Sequence, residues 1–135
     1  MTESAAVIGT CADYRKPVIL AVEDDEVSKE LLDKMLADSN YAVVYANDGL
    51  DGMRVLAQTE TVDLILLDAH MPRMSGFQML AVLRTSRRYR DIPVIIQTAD
   101  PTGREWEGAV ACIVKPFTED ALRDVIGTAL RLSPA

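Results

Sequence analysis

The chain has 135 residues, is 49% hydrophobic and 26% charged, and carries a formal net charge of −7. That length and apolar content suit one globular domain with its own core and exclude a disordered chain, and the acidic balance excludes general nucleic-acid binding by the domain alone. No apolar run approaches transmembrane length, the N-terminus lacks a signal-peptide pattern, and Cys11 and Cys112 show no metal-ligand spacing, so a reduced, cytoplasmic setting without a membrane partner is expected.

Residues 1–16 read as a tail rich in Ser, Ala, Thr and Gly. The folded unit is expected over 17–132. A first apolar strand, 18–22, runs into the acidic run Glu23-Asp24-Asp25-Glu26. A helix over about 26–39 follows, capped by Asp25, with Val27, Leu31, Leu32, Met35 and Leu36 on one face. A short strand at 41–45 leads through the turn Asn47-Asp48-Gly49 into a helix whose face carries Leu50, Met53, Leu56 and Ala57. Next comes Leu64-Ile65-Leu66-Leu67-Asp68, four aliphatic residues ending on a carboxylate. Ser75 caps a helix over about 76–86. Strands at 94–96 and 112–114 precede a last helix, capped by Thr118, with Leu122, Val125, Ile126, Ala129 and Leu130 facing inward.

Continuous aliphatic runs belong to strands buried on both faces, hence to a parallel sheet covered by helices. With right-handed crossovers, the flavodoxin-like doubly wound α/β sheet of five strands, order 2-1-3-4-5, is the expected fold. Ligands in such sheets sit just beyond the carboxyl ends of the strands. Strand one ends in acids, strand three in Asp68, strand four in Thr98 and strand five in Lys115. Strands one and three are neighbours in this order, so Glu23, Asp24 and Asp68 converge. Clustered carboxylates repel one another unless a cation or protons neutralise them.

The acid run Glu23-Asp24-Asp25, Asp68 with Met71-Pro72 and Gly76, Thr98-Ala99, and Lys115-Pro116-Phe117 occur in the order and spacing of a known family. Over residues 17–132 the chain resembles the receiver domain of two-component response regulators. The resemblance implies that Asp68 is the phosphoacceptor, taking a phosphoryl group from a histidine kinase or histidine phosphotransfer protein. It implies Mg²⁺ bound by Asp24 and Asp68, with Glu23 nearby and the backbone carbonyl of His70 as a further oxygen. It implies that Thr98 and Lys115 hold the phosphoryl oxygens and that the Lys115-Pro116 bond is cis. The chemistry is consistent, since a carboxylate is a competent nucleophile toward phosphorus and Mg²⁺ favours oxygen ligands. The role expected of the His70 side chain is to tune water access at the pocket entrance.

Two departures from the family stand out. The segment between Thr98 and Lys115 is short and contains Pro101 and Gly103, so the family's fourth helix is expected to be shortened or absent, with Trp106 over the core edge. Cys112 stands where the family usually has Tyr or Phe; a small buried core residue is expected there, and a redox role is the minor alternative. Arg84, Arg87, Arg88 and Arg90 read as a solvated basic face near a helix C-terminus. The chain reads as a stand-alone receiver acting by protein interaction or onward phosphotransfer, a phosphoacceptor and not an enzyme. The alternative is a phosphorylation-independent protein-binding module on the same fold. An aspartyl phosphatase is disfavoured because Asp68-Ala69-His70 lacks a second acid.

Overall fold

The computed structural model describes residues 15–100 and 107–132. Along the chain lie β1 (Val18–Val22), α1 (Glu26–Leu36), β2 (Ala42–Ala46), α2 (Gly49–Gln58), β3 (Leu64–Asp68), α3 (Gly76–Thr85), β4 (Val94–Thr98), β5 (Ala111–Val114) and α4 (Glu119–Leu132). The strands form one parallel sheet in the order β2-β1-β3-β4-β5, as the sequence predicts. Register places Val22 beside Ala46 and Leu67, and Asp68 beside Gln97.

The pleat sends alternate residues to opposite faces. Ile19, Ala21, Leu64 and Leu66 pack with Leu32 and Leu36 of α1 and with Leu122, Ile126 and Ala129 of α4. Leu20, Val22, Ile65 and Leu67 pack with Leu56 of α2 and with Met79, Leu80 and Leu83 of α3. Every residue of β3 is buried. Burial of one such side chain contributes roughly 1.5–3 kcal/mol, so β3 is a rigid support for the residue at its end.

Helix starts follow the predicted caps. The Asp25 side chain accepts from the Ser28 N–H at 2.9 Å, the Thr118 hydroxyl accepts from the Ala121 N–H at 3.1 Å, and Ser75 forms a reciprocal capping box with Gln78.

Helix faces differ from expectation. In α1 the buried stripe runs through Leu32 and Leu36, while Val27 and Leu31 are 63% and 50% exposed. Both lie on the adjacent 27-31-35 row, of which Met35 alone packs against the core. The helix stops at Leu36, and Ser39 folds back with its N–H on the Leu36 carbonyl. In α2 the buried residues are Gly49, Gly52 and Leu56, and Leu50 and Ala57 are exposed. Leu56 is buried as expected, but a hydrophobic pattern cannot flag Gly49 and Gly52, which lack side chains.

Among the described residues no helix separates β4 from β5. Pro101, Gly103 and Trp106 lie outside the described residues, as do residues 1–14, including Cys11. Arg84 departs from the solvated reading: its Nε donates to the Gly108 carbonyl at 2.8 Å and its guanidinium reaches the Ile92 carbonyl. Cys112 is half-buried on the edge strand β5, not fully buried, and burial pushes its thiol pKa up, away from a reactive thiolate.

Candidate functional site

Glu23 follows the last residue of β1, Asp68 ends β3, and Lys115 follows β5. Their side chains meet at the carboxyl edge of the sheet. The Lys115 ammonium lies 3.2 Å from a Glu23 oxygen and 3.4 Å from an Asp68 oxygen. Glu23, Asp24 and Asp68 each bring one carboxylate oxygen within 4.8 Å of the others. Glu23 and Asp68 are 1% and 6% exposed; Asp24 is exposed at the mouth.

The backbone sets this arrangement. The Glu23 N–H donates to the Ala46 carbonyl at 3.0 Å, the Ala69 N–H to Gln97 at 2.9 Å, and the Lys115 N–H to Thr98 at 2.9 Å. Ladder hydrogen bonds thus continue one residue past the strands and hold three side chains at one level. The Lys115-Pro116 peptide is cis. The His70 N–H donates to an Asp68 carboxylate oxygen at 3.3 Å. The His70 side chain is exposed and its ring packs edge-on against Phe77, with centroids 6.0 Å apart.

Electrostatics follow from the crowding. Burial, then the adjacent Asp68 carboxylate, push the Glu23 pKa up to about 7, with Lys115 opposing. Burial works against the Lys115 ammonium, but Asp68 and Glu23 outweigh it and hold its pKa above the ordinary value. Three acids around one ammonium leave negative charge in excess. An all-oxygen donor set with one exposed side suits Mg²⁺, which keeps several waters; the carboxylate cluster therefore fits that ion.

Thr98 is buried on the strand beside β3, but its hydroxyl bonds with the Asp100 backbone, accepting from the N–H at 3.1 Å and lying 3.2 Å from the carbonyl. The structure thus joins Glu23, Asp24, Asp68 and Lys115 directly, while the Thr98 hydroxyl is engaged elsewhere. Two features escaped the sequence reading. Arg73, with φ of 65°, donates from Nε to Asp48 at 2.7 Å and ties the loop after β3 to the start of α2. Gln97 is buried beside Asp68 with no partner for its amide nitrogen among the described residues. A polar residue directly after the apolar run Val94-Ile95-Ile96 and still within the strand was the available signal.

A five-stranded doubly wound parallel sheet carries an acid pocket and one lysine at its carboxyl edge, which places the chain in the flavodoxin-like α/β class. The response regulator receiver domain family matches residues 19–127, and the chain belongs to this family of two-component systems. It is 36% identical over 120 residues to the transcriptional regulatory protein GlrR of Escherichia coli K12, covering 85% of this chain but only 26% of that protein. It is 31% identical over 106 residues to the two-component response regulator ORR3 of Oryza sativa subsp. indica, covering 75% of this chain and 81% of that one. Its fold matches the receiver domain of the sensor histidine kinase PA1611 from Pseudomonas aeruginosa PAO1, a structure with a magnesium ion coordinated in the active site cleft. That match has a TM-score of 0.78 at 26% identity and covers 87% of this chain and 99% of that one. No helix among the described residues is long and apolar enough to cross a membrane.

Proposed function

We propose that Asp68 accepts a phosphoryl group from a phosphohistidine on a histidine kinase or histidine phosphotransfer protein. The observation that carries this reading is the Lys115 ammonium within 3.4 Å of the Asp68 carboxylate in a pocket of buried acids. An Asp68 oxygen attacks phosphorus, the bond from phosphorus to the imidazole nitrogen breaks, and the imidazole leaves as the neutral or protonated ring. Lys115 faces the phosphoryl oxygens and offsets their charge. The Asp68 oxygen that accepts from His70 is held in one orientation by that N–H.

Glu23, Asp24, Asp68 and the backbone carbonyl of His70 are the groups that would hold Mg²⁺, with Glu23 acting through water. The bound ion would supply charge neutralisation for the transferring group. Thr98 would join the phosphoryl site by giving up its bonds to Asp100. Residues 17–132 form the unit that carries this function, and the output is protein interaction or onward phosphotransfer. A phosphate-independent binding module is less well supported, because burying Glu23 and Asp68 side by side costs stability that such a module would not need.

Incubation with acetyl phosphate and Mg²⁺ followed by intact-mass measurement tests the reading. One phosphoryl group is expected on the wild type and none on Asp68→Asn. Equal labelling of that variant would overturn the assignment.

A further inference from the structure

The loop between β3 and α3 carries the His70 carbonyl, the backbone group proposed as an ion ligand, and its middle is strained. Arg73 has a φ of 65°, in the left-handed region where a Cβ crowds the backbone. Such a conformation persists where surrounding contacts impose it, and it gathers at functional sites. Glycine would adopt it freely. This chain has an arginine there and uses the side chain. Arg73 Nε donates to Asp48 Oδ2 at 2.7 Å, and its Nη2 is ion-paired to the same oxygen. Asp48 is buried. Its other oxygen, Oδ1, accepts from the Asp51 N–H at 2.9 Å and caps α2. Beside this pair the Gly49 N–H donates to the Met74 carbonyl at 3.2 Å.

These contacts join two strand ends that the ion site needs. Glu23 is held at the end of β2 by its N–H on the Ala46 carbonyl, just before Asp48. Arg73 sits in the loop that leaves Asp68 and His70. Met71 and Met74 of that loop pack on the core, but methionine side chains adapt to their surroundings and set no backbone direction. A planar guanidinium on a buried carboxylate is directional. We propose that Arg73 and Asp48 are positioning residues for the ion site: their pair fixes the β3–α3 loop so that the His70 carbonyl is held at the ion alongside Glu23, Asp24 and Asp68. This role rests on the Mg²⁺ site proposed above and adds no ligand to it.

The test compares Mg²⁺ dissociation constants by calorimetric titration, at a temperature where each protein is fully folded. The main variant combines Asp48→Asn with Arg73→Gly. Asparagine keeps an N-cap for α2, and glycine accepts the left-handed backbone. One negative and one positive charge are removed, so the net charge stays at −7. Neither a lost cap, nor strain, nor charge then alters ion binding. The variant is expected to bind Mg²⁺ about tenfold more weakly, the lower end for groups that orient a metal ligand. In the metal-free protein, amide exchange at His70 and Met71 should be faster than in the wild type. Arg73→Gly alone serves if the double variant does not fold. Loss of a positive charge would by itself tighten cation binding, so weaker binding by this variant supports positioning. Unchanged affinity or unchanged exchange in the double variant, or unchanged or tighter binding in Arg73→Gly, would overturn the proposal. Asp24→Asn removes a ligand and tests the ion site separately. If it loses Mg²⁺ while the double variant keeps the wild-type affinity, the ion site stands and the positioning role alone falls. If the wild type binds no Mg²⁺, the ion site itself falls.

Discussion

Gly76 and Asp68 are in backbone contact: a Cβ on Gly76 would lie 2.1 Å from the Asp68 carbonyl oxygen and 3.0 Å from the Ala69 α-carbon. The Gly76 N–H also donates to the Ala69 carbonyl at 3.1 Å. The loop after β3 therefore returns to its own origin, and the first turn of α3 rests on the residue proposed to carry the phosphoryl group.

Gly76→Ala should lower stability by roughly 1–3 kcal/mol, the cost of overpacking against backbone that cannot yield, and should slow labelling of Asp68. Gly52→Ala is the control. There the obstruction is the end of the flexible Met79 side chain, at 2.8 Å, so a smaller loss is expected. Thermal melting and intact-mass labelling of both variants decide the matter; equal behaviour of the two would refute the backbone argument.

Lys115→Met removes the ammonium that stands between two buried carboxylates. Loss of one charge-assisted contact at the phosphoryl group should slow labelling by acetyl phosphate by roughly tenfold to a hundredfold. Mg²⁺ binding should survive, since every proposed ion ligand remains. A variant that labels at the wild-type rate would remove Lys115 from the site.

The sheet order and the acid pocket were legible because both depend on strand-end residues: Glu23, Asp68, Thr98 and Lys115 each follow or close an apolar run, and strand order then decides which ends are adjacent. Side-chain choices were not legible at that level. Thr98 had two partners available, the pocket and its own chain, and the structure pairs it with Asp100. Arg84 looked like surface charge because the groups it binds, the Gly108 and Ile92 carbonyls, are backbone atoms that leave no side-chain signal. The burial of α2 through Gly49 and Gly52 was invisible for the same reason, since close approach leaves no hydrophobic mark.

At the opposite end of the sheet, Asp63 accepts from Arg15 at 2.7 and 2.9 Å and from the Val18 N–H at 2.7 Å. The Arg15 guanidinium, aided by that N–H against partial burial, holds the Asp63 carboxyl below its ordinary pKa. A depressed carboxyl pKa stabilises the fold above the unfolded value of about 4, and the gain disappears as pH falls through the folded value. Asp63→Asn should therefore destabilise at neutral pH by about 1 kcal/mol, a modest figure because Arg15 is largely solvated. The difference from wild type should vanish in strong acid. Urea denaturation at several pH values measures it, and a gap that persists unchanged under acid would contradict the assignment.

Glu23 provides the pH signature of the pocket itself. Its pKa of about 7 in the metal-free fold exceeds the ordinary carboxyl value, so the folded state binds this proton more tightly than the unfolded chain does. The sign is opposite to that at Asp63: metal-free stability should be highest below about pH 4.5 with respect to this group and fall as pH rises toward about 7. The proposed Mg²⁺ site uses the ionised carboxylate, so ion binding must expel the proton. Calorimetric titration with Mg²⁺ at about pH 6 should show a heat that depends on the buffer's ionisation enthalpy, corresponding to nearly one proton released. At about pH 8 that dependence should be nearly absent, and the affinity should be higher. Glu23→Gln should abolish the buffer dependence at the lower pH. Identical heats in two buffers at about pH 6 for the wild type would place the proton elsewhere and remove Glu23 from the ion site.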